Sequence, residues 1–256
     1  MMKHITALKI LSLCLLITSS FPYTNGFAIT ATQIIEKSEQ AIQGESQIAT
    51  AEITIKTRRW TRTMKLESYR VRKDKKSFSE ILSPRKDAGN RFLMIDQNMW
   101  HYVPRLQQTI KISPSMMLQS WMGSDFTNDD IVKESSIVAD YTHHMIGNEA
   151  VDGHECYKLE LIPRPDAAVV WGKIIYYART SDFLPVREEF YNEHNELKKH
   201  LTLSNFQKMG DRIIPVLYKM QTVSKPDRYT LMELESVRFD VPIPETVFTL
   251  QYLKKR

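Results

Sequence analysis

The amino-acid sequence predicts a mainly β (α+β) protein: a curled antiparallel sheet of roughly eleven to thirteen strands forming a barrel or half-barrel, with an N-terminal helix and short accessory helices. Three observations carry this. From Ala51 onward apolar and polar residues alternate with period two, as Ala51, Ile53 and Ile55 do against Glu52, Thr54 and Lys56. The segments between such stretches are turns at hairpin spacing, among them Asp96-Gln97-Asn98, Asp152-Gly153, Asn192-Glu193-His194-Asn195, Gly210-Asp211 and Pro226-Asp227. They are too short for the crossover helices of a parallel sheet. So many long antiparallel strands cannot stay in a flat open sheet, so the sheet must curl.

At the N-terminus, Lys3 and Lys9 precede the apolar run from Ile10 to Ile17, and Gly26-Phe27-Ala28 places small residues at both cleavage-determining positions. This order predicts a cleavable signal peptide over residues 1–28 and an exported protein starting near Ile29. The run is shorter than the roughly 20 residues of a membrane-spanning helix, and no later stretch reaches that length. Cys14 as a lipid anchor is disfavoured, because Leu13 is large and the apolar run continues past the cysteine. Removing 28 of the 256 residues leaves one domain, 29–256, with its net charge lowered from +5 to +3 by the loss of Lys3 and Lys9. Cys156 is then the remaining cysteine, so burial rather than an intramolecular disulfide must hold the fold.

Thr30 and Gln33 fit a capping box, and Ile34, Ile35, Ser38, Ala41 and Ile42 share one helical face before Gly44. After the strand around Ala51–Ile55, further strands are expected near 64–71, 91–96, 99–103, 109–113, 141–146, 156–162, 169–179, 184–191, 197–206, 212–223 and 228–237. Strand rhythm breaks from Pro114 to Val132, where Met116, Met117, Leu118, Trp121, Met122 and Phe126 crowd together. There Thr127 or Asn128 can cap a short helix whose first turn holds Asp129 and Asp130. The opening helix and this segment are the elements that would plug the concave face.

The chemical inventory argues against an enzyme. There is no G-x-S-x-G elbow, H-E-x-x-H pair, glycine-rich phosphate loop or CxxC pair. His154 and Cys156, with His143 or His144, could begin a metal site, and a hydrolase would need His143, His154 or His194 to converge on a nucleophile or metal. A buried lone cysteine more often behaves as a small hydrophobe, and the macrodipole already accounts for two acids in a first helical turn. No cofactor and no metal are expected.

Two segments invite binding instead. Arg58, Arg59, Arg62, Lys65, Arg70, Arg72, Lys73, Lys75 and Lys76 fall within nineteen residues around Trp60, against Glu67 and Asp74. In an exported chain this pattern suits an anionic membrane surface or an acidic partner rather than nucleic acid; the alternative is a solvated hairpin. Arg58, Arg59, Trp60, Arg62, Arg70 and Arg72 are the candidate partner or headgroup residues. The methionine-rich break suits flexible acyl chains, since methionines adapt to irregular apolar shapes.

Leu82-Ser83-Pro84-Arg85-Lys86-Asp87-Ala88-Gly89, Phe92-Leu93-Met94, Met99-Trp100-His101-Tyr102-Val103-Pro104, Met122-Gly123-Ser124-Asp125-Phe126 and Cys156-Tyr157-Lys158-Leu159-Glu160-Leu161-Ile162-Pro163, in this order, resemble the LolA-like outer-membrane lipoprotein-sorting proteins, in a longer branch than LolA itself. The resemblance implies a half-open antiparallel barrel lidded by helices, whose apolar cavity carries the acyl chains of a lipoprotein or lipid across the periplasm. An inner-membrane exporter and an outer-membrane acceptor are the implied partners. Met94, Trp100, Tyr102, Met116, Met117, Trp121 and Phe126 are the residues expected to line the cavity and lid. No position matches the local pattern of LolA's lid-gating arginine. The alternative is a docking or structural protein of the envelope with a filled core and a basic, partner-binding hairpin.

Overall fold

The computed structural model describes residues 29–132, 137–167 and 169–255. The signal peptide expected over residues 1–28, Cys14 included, lies outside them. Among the described residues no helix is long and apolar enough to cross a membrane.

Helix α1, Ala31–Ile42, begins with both bonds of the expected capping box: the Gln33 N–H donates to Thr30 Oγ1 (3.2 Å), and Gln33 Oε1 accepts from the Thr30 N–H (2.9 Å). Its buried face is Ile34, Ile35, Ser38 and Glu39. The strands follow as β1 (Ser46–Lys56), β2 (Thr61–Val71), β3 (Lys76–Ser83), β4 (Arg91–Ile95), β5 (Asn98–Val103) and β6 (Gln108–Ile112). Two 3-10 turns, Pro114–Met116 and Trp121–Gly123, and helix α2, Asn128–Val132, then interrupt the sheet. It resumes with β7 (Tyr141–Val151), β8 (His154–Pro163), β9 (Lys173–Arg179), β10 (Pro185–Tyr191), β11 (Leu197–Met209), β12 (Arg212–Thr222) and β13 (Tyr229–Phe239). A 3-10 turn, Glu245–Phe248, and helix α3, Leu250–Leu253, close the described chain.

Among the described residues thirteen strands form one antiparallel sheet in the order β6-β5-β4-β3-β2-β1-β13-β12-β11-β10-β9-β8-β7. Two meanders are thus joined where β1 pairs with β13, from Gln47 opposite Phe239 to Lys56 opposite Tyr229. The sheet is open, as expected, and its free edges are β6 and β7. Those two strands are consecutive in sequence, so the segment between them has to pass from one edge of the sheet to the other. Of that connection, residues 121–131 lie over the concave face.

Strand β3 is the one strand the period-two pattern misses. Phe78 faces a cluster with Leu93, Val247, Phe248 and Leu253, whereas Ile81 faces the opposite cluster with Met64, Leu66 and Phe92. A strand buried on both faces loses its alternation. The pairing with β2 also shifts register, Leu66 lying opposite Ile81 but Lys65 opposite Ser83, which displaces the pattern by a residue.

The concave face holds two apolar clusters. One gathers Ile53, Met64, Phe92, Met94, Met99 and Trp121 beneath the 3-10 turns. The other gathers Ile34 and Ile35 of α1 with Phe126, Leu159, Leu161 and Tyr176. On the convex face the C-terminal segment covers Phe78 and Leu93 with Val247, Phe248 and Leu253. Ser38 and Tyr176 share a buried hydrogen bond of 2.7 Å that fixes α1 against β9.

Candidate functional site

Between α1, the segment 121–131 and the concave face lies a cavity of about 240 Å³. Its walls are apolar along Ala51, Ile53, Leu66, Leu203, Met220 and Leu234, with Trp121 and Phe126 at the lid. Toward the C-terminus of α1 the lining turns polar, through Glu39, Gln43, Gln47, Ser68, Arg70 and Ser77.

The lid is built from its own backbone bonds and tied down from outside. Trp121 donates to the Phe126 carbonyl (2.8 Å), Asp129 N–H to the Met117 carbonyl (2.8 Å) and Asn128 Nδ2 to the Met116 carbonyl (3.0 Å). Thr127 caps α2, as expected: its Oγ1 accepts from the Asp130 N–H (3.1 Å) while Asp130 Oδ2 accepts from the Thr127 N–H (2.7 Å). Met122 and Gly123 both adopt left-handed backbone, φ 51° and 77°. That costs little for glycine and of the order of 1–2 kcal/mol for methionine. It presents three consecutive carbonyls to two arginines. Arg62 of β2 donates to the Met122 carbonyl (3.1 Å) while gripping Asp87 through Nε (3.0 Å) and a second nitrogen (2.8 Å). Arg228 donates to the Gly123 (2.7 Å) and Ser124 (3.0 Å) carbonyls and to Asp125 Oδ1 (2.9 Å). Asp125, with its side chain 2% exposed, is also bonded by Thr230 Oγ1 (2.8 Å), and Lys199 pairs with Asp130.

Of the residues expected at the cavity, Trp121 and Phe126 line it. Met94 lies in the concave cluster with Trp121, and Met116 and Met117 of the lid segment pack down against that cluster. Trp100 and Tyr102 correct the expectation: they pack on the convex face against Val247 and Phe248. The register explains it, since Met99 and His101 of β5 point inward, leaving Trp100 and Tyr102 outward.

The basic run is likewise divided by its strand. Arg58, Arg59 and Trp60 (47% exposed) sit at the β1–β2 turn and face Lys225, Pro226 and Arg228 of the β12–β13 turn across a surface cleft. Arg62 holds the lid, Arg70 lines the cavity, and Arg72 pairs with Glu45 (2.7 Å) at the far end of the hairpin. Lys65 pairs with Glu235 (2.6 Å) and Lys76 with Glu245 (2.7 Å). Much of the run is answered by acids remote in sequence, which no local charge count can reveal. Arg228 itself lay outside the basic run and carried no sequence signal beyond a turn after Pro226-Asp227.

The histidines and Cys156 occupy separate places. His143 is bonded to Thr32 Oγ1 (3.1 Å) and to the Ile137 carbonyl (2.8 Å), His154 meets the Phe206 ring edge-on, and His194 lies in the β10–β11 turn. Burial pushes the Cys156 thiol up to about 11, which leaves it a poor nucleophile. Among the described residues no group of three histidine, cysteine, aspartate or glutamate side chains could hold a metal ion.

A family model described as an uncharacterized protein matches residues 73–255. No curated protein sequence matches the chain. Solved structures similar to it include a DUF1329 family protein from Desulfovibrio piger (22% identity, TM-score 0.79, covering 87% of this chain and 97% of that one). A provisionally named outer membrane lipoprotein-sorting protein domain from Vibrio parahaemolyticus is 24% identical, with TM-score 0.76 and coverage of 88% and 98%. A LolA superfamily protein from Nitrosomonas europaea is 22% identical, with TM-score 0.75 and coverage of 88% and 100%. At these identities the likeness is one of fold.

Proposed function

We propose, on the premise that this chain belongs to the uncharacterized-protein family matched over residues 73–255 and shares the LolA-superfamily fold, that it is a non-catalytic periplasmic carrier of acyl chains. Export would follow from the signal peptide expected over residues 1–28. The observation that carries the reading is the apolar cavity closed by a separately latched lid. Burying a sixteen-carbon chain at about 0.8 kcal/mol per CH₂ offers on the order of 10 kcal/mol, enough for capture without any catalytic group.

In the closed state the cavity of about 240 Å³ is smaller than the roughly 300–1,000 Å³ of clefts that hold drug-sized ligands. Loading a whole chain therefore requires the lid to move, which means releasing the Met122, Gly123 and Ser124 carbonyls from Arg62 and Arg228. The exposed Arg58, Arg59 and Trp60 tip, beside Lys225, is the surface suited to an anionic membrane or to an acidic patch on an inner-membrane exporter. Arg228 lines that same cleft, so docking there and opening of the lid share a residue.

Protein purified from the periplasmic fraction and extracted for mass spectrometry is expected to release a stoichiometric lipid, and to take up the neutral apolar dye N-phenyl-1-naphthylamine once delipidated. Absence of both lipid and dye uptake would overturn the carrier reading in favour of a docking or structural protein of the envelope.

A further inference from the structure

The α1 end of the cavity is polar in a specific way. Glu39 and Gln43 are 7% and 6% exposed and both line it. Gln43 Nε2 donates to Glu39 Oε2 (2.8 Å). Only the amide nitrogen can donate to a carboxylate, so the amide orientation is fixed and Oε1 is the remaining atom. Gln43 Oε1 is buried and accepts no hydrogen bond, and neither does the buried Oε1 of Gln47, which lines the same end. Buried polar atoms are ordinarily bonded, so two acceptors at one end of a cavity are a demand for donors.

One charge at this end bears on the choice of head, the buried Glu39 carboxylate. That carboxylate faces the cavity near Arg70, both of them engaged with partners, while Asp129 and Asp130 line it from the lid, where Lys199 pairs with Asp130, and Glu188 lines it from β10. Burial first, and then the carboxylates of Glu188 and Glu39, hold the nearby Tyr176 phenol well above its ordinary range, so it stays neutral. A carboxylate or phosphate brought beside Gln43 would lose water and lie against the Glu39 carboxylate that Gln43 holds.

We infer that the α1 end of the cavity is a headgroup subsite for a lipid whose small head donates hydrogen bonds and carries no negative charge, the chemistry of a long-chain alcohol or an acylglycerol. The hydroxyls donate to Gln43 and Gln47, while the chain runs past Ala51, Ile53 and Leu66 toward Trp121 and Phe126. This rests on the carrier reading and narrows it. The basic tip then serves docking, and cargo selection falls to the opposite end of the sheet.

The test is displacement of N-phenyl-1-naphthylamine from delipidated protein, at pH 8, by 1-monopalmitoylglycerol, hexadecanol and palmitate. The two neutral lipids are expected to displace the dye at about tenfold lower concentration than palmitate, the weight of about one hydrogen bond to a buried acceptor. The double variant Gln43→Met, Gln47→Met should narrow that preference to under about threefold, with dye affinity kept as the sign of an intact fold. Palmitate equalling or bettering the neutral lipids in the unaltered protein would overturn the subsite, as would an unchanged preference in a variant that still binds dye. Failure of the dye itself to bind would strike the carrier reading instead, so the two failures are distinct.

Discussion

At the residue scale, two side chains show how position outweighs type. Arg228 replaces water for two lid carbonyls and for the buried Asp125 carboxylate. Arg228→Ala should cost about 1.5–3 kcal/mol in urea unfolding, the range of hydrogen bonds to charged groups. Stopped-flow dye uptake should accelerate by about tenfold if release of the lid limits entry; uptake at the unaltered rate would show that the latch does not gate. His101 lies stacked on Phe92, with ring centroids 4.3 Å apart, and its Nε2 is bonded to Asn90 Oδ1 (2.8 Å). Burial lowers its pKa from 6.5 to about 4. A folded value below the unfolded one means its contribution is complete above about pH 6.5 and is lost as the pH falls toward 4. Discounted for partial exposure, this is of the order of 1–2 kcal/mol. His101→Gln should flatten the urea-midpoint profile between those values without abolishing the slope, because burial also lowers His143 and His200.

At the element scale, local rules account for most boundaries. The capping boxes at Thr30 and Thr127 and the hairpin turns at Asp152-Gly153 and Gly210-Asp211 start and stop elements where their chemistry says they should. The exceptions are elements set by neighbours. β3 is masked by burial on both faces, and β9 begins at Lys173 rather than at Val169. At Gly172, just before β9, the backbones close up, and a Cβ there would lie 2.7 Å from the Asn192 carbonyl oxygen. Gly172→Ala should therefore lower stability by about 1–3 kcal/mol, the cost of overpacking, measured as a shift in urea midpoint at constant m-value. A shift below about 0.5 kcal/mol would mean that the β10–β11 turn simply moves aside.

At the scale of the whole molecule, the antiparallel class, twelve of the thirteen strands and the opening helix were legible because alternation, capping and turn chemistry are local properties carried by neighbouring residues. The methionine-rich break was legible as a lid for the same reason: strand periodicity stops there. The sequence could not say which face of a strand would meet the cavity once both faces were covered, so Trp100 and Tyr102 went to the convex side. Nor could it join Arg62 to Asp87, Arg228 to Asp125 or Gln43 to the wall of a cavity, since each pairing joins residues that only the fold brings together. Sequence alone therefore determined that this chain makes a curled antiparallel sheet with an apolar interior and a segment to cover it, since hydrophobic patterning acts residue by residue. Only the tertiary structure decided which arginines hold the cover down and that one end of the cavity brings a buried carboxylate together with two amide oxygens that accept no hydrogen bond, because charge pairing and enclosure exist between elements that the chain itself keeps far apart.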